Sequence, residues 1–309
     1  KESPQAGAGE YLKADAALEA GEYAAAAKAY LAVPETAGQL RDNAIFQAGL
    51  CSWNLGLRAQ TIKVAKPSYD EAEKLFLQVV ELASKDQTGV DRERLQNRMK
   101  LRLSARVKLA EIYCSTVLKK YKEAQAVIDV CDREDRPDGE QATLLAHSRV
   151  RTLAALGEVE RSEEALAVVR QKAPNSRLLP QLCREIARAY DTKAAAAEKK
   201  GGAEGQKEYK ALISKAIEYY ALWVEESERL KMEVDGKILT GKNGIAQRSL
   251  AIALEVTGLP SGKDSFSDCI GKTDIPRAEW TRAVKLLELA NAQDAKIAIV
   301  EHGTPKMAA

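Results

Sequence analysis

The sequence predicts an all-α protein, a solenoid of stacked helix pairs, and three observations carry that prediction. The first is a short pattern that recurs along the chain as Tyr23–Ala26–Tyr30–Val33, Tyr69–Ala72–Phe76–Val79, Tyr121–Ala124–Ile128–Cys131, Val159–Ser162–Leu166–Val169, Ile213–Ala216–Tyr220–Trp223 and Trp280–Ala283–Leu287–Ala290. Steps of three and four keep the four positions on one face of a helix, and the small second residue admits a neighbouring helix closely. The second observation is that glycine stands where a preceding helix should stop, at Gly21, Gly56, Gly157 and Gly258, as a left-handed cap requires. The third is composition: 45% apolar and 30% charged residues, the balance of a helical protein with a buried stripe on each helix. Units that cannot bury an apolar face alone must stack on copies of themselves. One solenoid over residues 10–301 is therefore expected, between a lead-in at 1–9 and a tail at 302–309.

The elements follow in order. A weakly patterned first helix carries Glu10, Lys13, Ala14 and Ala17, and Pro34 closes its partner. In the second pair Ile45, Ala48, Gly49 and Ser52 share a face. Residues 57–68 then read as an expanded turn ending at Ser68, whose spacing to Glu71 makes a capping box. The third pair opens with Leu109, Ala110 and Tyr113, and the fourth has Arg149 at an apolar position before Pro174 ends it. The fifth carries Cys183, Ile186, Ala187 and Tyr190, and residues 195–212 around GGAEG read as a protruding helical hairpin. The sixth carries Leu250, Ala251 and Leu254, with a Pro-, Gly- and Ser-rich expansion at 259–279 that Pro276 ends. Extensions at 84–98 and 225–243 fall between pairs, on the opposite edge from the expanded turns.

These positions resemble the tetratricopeptide repeat family, whose unit is a helix pair of about 34 residues with small residues at fixed places. Aligned on them, repeats start near Gly7, Asp42, Leu103, Thr143, Pro180 and Gly244. The resemblance implies a right-handed α-α superhelix in which six positions of each first helix line a concave groove. By that register the groove holds Tyr11, Phe46, Leu50 and Trp53, then His147, Arg151, Arg184, Arg188 and Arg248. The subfamily that clamps a C-terminal carboxylate has Asn at the ninth position of its first helices. Here that position reads Asp15, Leu50, Glu111, Arg151, Arg188 and Ile252, which argues against chaperone-tail binding of that kind.

Motifs for chemistry are weak. His147 and His302 are the only histidines, and the cysteines (Cys51, Cys114, Cys131, Cys183, Cys269) lack zinc-site spacing. They read as core thiols, which leans toward a reducing compartment, while an exported or lipoprotein-anchored placement stays open. Gly236–Asn243 approaches a phosphate-binding loop but has Asn243 where Ser or Thr would hold Mg²⁺. Gly258–Lys263 has the wrong spacing, and in Asp132–Asp138 arginines interleave with the carboxylates. No enzyme, cofactor or metal is expected.

Arg94, Arg98, Arg102 and Arg106, spaced by four, form a basic stripe. It reads as a solvated helix edge or as a surface for an acidic partner. A net charge of +2 and the lack of interleaved aromatics argue against nucleic acid. No run approaches the length of a membrane span.

The expected function is a non-enzymatic scaffold that holds another protein or peptide, one bearing acidic groups, in its groove. The alternative is a structural subunit of a multi-chain assembly. A contact through the C-terminal helix, with a second copy of the chain or with a partner protein, is expected, because Ile297 and Ile299 follow the last repeat with no polar helix to cover them.

Overall fold

A computed structural model describes residues 7–85, 87–230, 233–234 and 237–238. The sixth repeat, Arg248, the 259–279 expansion, His302, Cys269 and the C-terminal helix with Ile297 and Ile299 lie outside them, as does most of Gly236–Asn243. Among the described residues ten α-helices follow one another: α1 Ala8–Glu19, α2 Tyr23–Ala32, α3 Gln39–Arg58, α4 Ile62–Ser84, α5 Arg92–Tyr113, α6 Tyr121–Val130, α7 Gly139–Ala155, α8 Val159–Lys172, α9 Leu179–Lys200 and α10 Gly202–Arg229. The only strands among them are the two-residue antiparallel pair Glu233–Val234 (β1) and Lys237–Ile238 (β2). None of these helices is long and apolar enough to cross a membrane.

The chain divides between Thr152 and Leu153, inside α7, into two compact units. In the first unit each helix from α1 to α6 packs on the next, and the odd-numbered helices also meet, α1 on α3 and α3 on α5. α7 joins through Leu145, which is buried with Val107, Ala110, Ile128 and Cys131. In the second unit α8 packs on α9 and α9 on α10.

Packing explains the repeated small residue. Ala26, Ala72, Ala124, Ser162 and Ala216 are all fully buried, so each sits where a larger side chain would push helices apart. Their large companions Tyr30, Phe76, Ile128 and Leu166 are buried beside them. The buried Tyr30 phenol keeps a polar partner by donating to Asp15 Oδ1 at 2.5 Å, as buried hydroxyls must.

Several boundaries differ from the sequence reading. The stretch 57–68 is not an expanded turn. α4 starts at Ile62, and Thr61 caps it by accepting from the Val64 amide at 3.4 Å, which leaves Ser68 inside the helix. Pro67 is tolerated within that helix near its start, where it removes one amide donor. Gly56 is not a cap: it lies inside α3 at the crossing with α4, and a Cβ there would stand 2.5 Å from the Tyr69 ring. Gly21 and Gly157 do sit just past α1 and α7 with φ of 74° and 78°. α5 begins at Arg92, within the span read as an inter-repeat extension, because Asp91 caps it by accepting from the Arg94 amide at 2.8 Å. The hairpin around GGAEG forms as expected, with α9 and α10 meeting at Gly201 and Gly202, both at positive φ.

Candidate functional site

Six of the residues expected to line a groove lie on α1, α3 and α7 within the first unit. Tyr11, Phe46, Leu50 and Trp53 are half-buried, with their inner surfaces against the core. Tyr11 stands edge-on to Tyr30 with ring centroids 5.2 Å apart, and Phe46 tilts against Phe76 at 5.6 Å. Their backs are thus fixed by ring packing, which aromatic pairs favour at these separations.

Toward α5 and α7 the character changes from apolar to cationic. Lys108 Nζ lies 4.3 Å from the Trp53 ring centroid and donates to Glu111 Oε2 at 2.7 Å. An ammonium at that distance is attracted by the ring face, more so when partly desolvated. Burial raises the Tyr69 phenol above its ordinary value, and the Arg151 charge together with the Trp53 side chain pulls it back. Burial, then the Arg151 charge, holds the His147 imidazole below its usual range. Trp53, Tyr69, Lys108, Glu111, His147 and Arg151 therefore share one neighbourhood built by α3, α4, α5 and α7. His147 is buried within it, while Trp53, Arg151 and the Lys108–Glu111 ion pair are partly exposed.

Tyr69 and Lys108 were missed by sequence reasoning. Lys108 is legible in the register that selects Trp53, because it occupies the sixth position of the third repeat. Tyr69 counts as a core residue by its pattern and reaches this face only because Gly56 lets α4 lie close to α3.

In the second unit Arg184 and Arg188 follow each other four residues apart on α9. Arg184 places its guanidinium carbon 5.2 Å from the Trp223 ring centroid on α10, and Arg188 is exposed one turn further on. α9 is held from behind by Cys183, Ile186, Ala187 and Tyr190, and Tyr190 stacks on Tyr219 at 6.0 Å. Below them Glu226 is buried and accepts from Arg170 at 2.6 Å and from Arg229 Nε at 2.8 Å.

The basic stripe on α5 is not a solvated edge. Arg94 and Arg98 are buried and both reach Asp42 Oδ2 through Nε at 2.8 Å, and Arg98 also donates to Gln87 Oε1 at 3.0 Å. Arg102 and Arg106 converge on the other carboxylate, Asp135, at 2.5 and 2.6 Å. Four-residue spacing puts the arginines on one face as read, but that face packs against α3 and the end of α6. Asp135 comes within reach because α6 widens into a π-helical turn over Cys131–Asp135, a local insertion that re-aims side chains. The Asp132–Asp138 segment is accordingly a clasp on α5 at Asp135 and not only a solvated loop.

Cys51, Cys114, Cys131 and Cys183 are free and buried. Burial pushes the Cys51 thiol up to about 11 and the Cys183 thiol up to about 12, so neither is a thiolate near neutrality. No cluster of three or more His, Cys, Asp or Glu suited to a metal occurs among the described residues.

What the fold defines is an all-α protein of successively packed helices. Comparison with family models, with curated proteins and with solved structures finds no match to this chain.

Proposed function

We propose that this chain is a tetratricopeptide-like solenoid that acts as a scaffold and binds an acidic segment of another protein along its first-helix layer. The observation that carries the reading is the convergence of Trp53, Lys108 and Arg151 from α3, α5 and α7 on one face of the first unit. An aromatic ring with an arginine nearby is a composition that anchors peptides, since aromatic and Arg side chains dominate binding energies, while Lys108, paired with Glu111, braces the ring. Contacts of α1 with α3 and of α3 with α5 support the stacked-pair architecture.

Selection from a phage-displayed peptide library with the full chain tests the reading. Peptides combining acidic residues with an apolar or aromatic anchor should be enriched. Arg151→Glu should weaken their binding about tenfold or more with the fold retained by circular dichroism, and Trp53→Ala should weaken it similarly while also lowering the melting temperature, because the ring packs against the core. Enriched peptides that bind both variants as they bind the wild type would refute this face as the site.

A further inference from the structure

We propose that the tip joining α3 to α4 is a docking point for an anionic lipid surface, a contact separate from the peptide-binding face. Leu57, in the last turn of α3, and Ile62 and Val64, in the first turn of α4, are 55%, 56% and 63% exposed. α4 has an inward face at this end, where Ala65 and Tyr69 are buried. The three aliphatic side chains are therefore not core residues of a frayed helix. They lie outside a packed helix end that Thr61 caps.

Cations outnumber carboxylates at this tip, where Asp70 partners Lys66 and the exposed Glu22 adjoins Tyr23. No acidic residue occurs between Asp42 and Asp70, whereas Arg58, Lys63 and Lys66 are all exposed. Lys66 pairs with Asp70 at 2.8 Å, and Arg58 lies 4.4 Å over the Tyr23 ring, which braces the tip against α2. Lys63 stands between Ile62 and Val64. A net charge of +2 over the whole chain conceals this local segregation.

The side-chain types favour lipid over protein. Protein hot spots draw on Trp, Tyr and Arg seated in pockets, and this tip presents aliphatic residues and lysine at the end of a helical hairpin. At a bilayer surface the aliphatic groups enter the headgroup boundary while lysine stems extend to the phosphates. Anionic lipids add attraction for each cation near the surface, and that attraction decays within a Debye length.

Co-sedimentation of the full chain with vesicles decides the matter. Binding to phosphatidylcholine mixed with phosphatidylglycerol should exceed binding to phosphatidylcholine alone about tenfold and should fade as salt is raised. The combined variant L57S/I62S/V64S should lose most of that binding, and Lys63→Glu should reduce it several-fold. Both should melt like the wild type, because the altered side chains are exposed. Arg151→Glu, which tests the peptide face, should leave vesicle binding in place, so the two readings fail separately. A wild-type chain that stays in the supernatant with anionic vesicles overturns the proposal. So does a triple serine variant that still binds them. Capture of soluble polyglutamate by the tip without vesicle binding would reassign it to an acidic polypeptide.

Discussion

Asp42 on α3 and Arg94 on α5, 52 positions apart, form a buried two-pronged ion pair with Nε–Oδ2 at 2.8 Å and Nη2–Oδ1 at 3.1 Å. Arg98 grips the same carboxylate from one turn further along α5. The third helix of one layer is thereby locked to the fifth in a single register. Two guanidiniums on one carboxylate leave little freedom to slide, since a shift of one residue on α5 would move both off the acceptor. Arg102 and Arg106 repeat the device on Asp135, so both ends of the α5 stripe are anchored.

Removing the shared acceptor should be severe. Asp42→Ala leaves two buried guanidiniums without their common carboxylate, a change that costs about 3–5 kcal/mol when a buried pair is broken from one side. Urea denaturation followed by circular dichroism measures it. A loss under about 1 kcal/mol, the size of a surface pair, would mean that Asp42 is not the centre of the clasp.

Acid should destabilise the first unit in two steps of the same sign. Burial works to raise the Asp42 carboxyl, but hydrogen bonds and charge from Arg94 and Arg98 outweigh it and hold the group below its ordinary value. A depressed carboxylate contributes stability above its unfolded pKa and loses it as pH falls through the folded one. His147 is also held low, by burial first and then by Arg151. Its neutral form is favoured in the fold, so stability declines as pH drops below the ordinary histidine value near 6.5. Melting temperatures across a pH series should fall first below that value and again in the carboxylate range. In His147→Gln the upper step should vanish while the lower one persists.

Close helix contacts should resist added volume. Ala72 is fully buried, and a Cβ at Gly56 would meet the Tyr69 ring at 2.5 Å. Ala72→Leu and Gly56→Ala should each lower stability by about 1–3 kcal/mol through overpacking. Thermal melts read both. An unchanged Tm for Ala72→Leu would place that residue away from the helix crossing.

Thiol reactivity should report burial. Alkylation of the folded chain followed by peptide mapping should label Cys51, Cys114, Cys131 and Cys183 slowly, and all four rapidly once denaturant is added. Rapid labelling of Cys183 in the folded protein would contradict its packing on α9, where burial raises its thiol to about 12.

Charge on α9 should not matter to folding. Arg188 is exposed, so Arg188→Glu should keep the wild-type melt. A Tm lowered by more than a few degrees would mean that this side chain packs within its unit.

The all-helical character, the second helix of each described pair and the small buried residues were legible in the sequence, because they depend on local periodicity and on the volume of single side chains. The hairpin at Gly201–Gly202 was legible for the same reason: only glycine readily takes positive φ twice in succession. Trp53, His147 and Arg151 were also within reach, since the register of one helix face places them. The destination of the α5 arginines was decided by tertiary structure alone. Spacing by four puts Arg94, Arg98, Arg102 and Arg106 on one side of a helix whether that side meets water or carboxylates. The carboxylates that meet them come from Asp42, far back in the chain, and from Asp135, aimed by a π-helical turn that leaves no periodic signal. Ion pairs between residues distant in sequence carry no local pattern, so buried and solvated stripes of arginine look alike until the helices are packed.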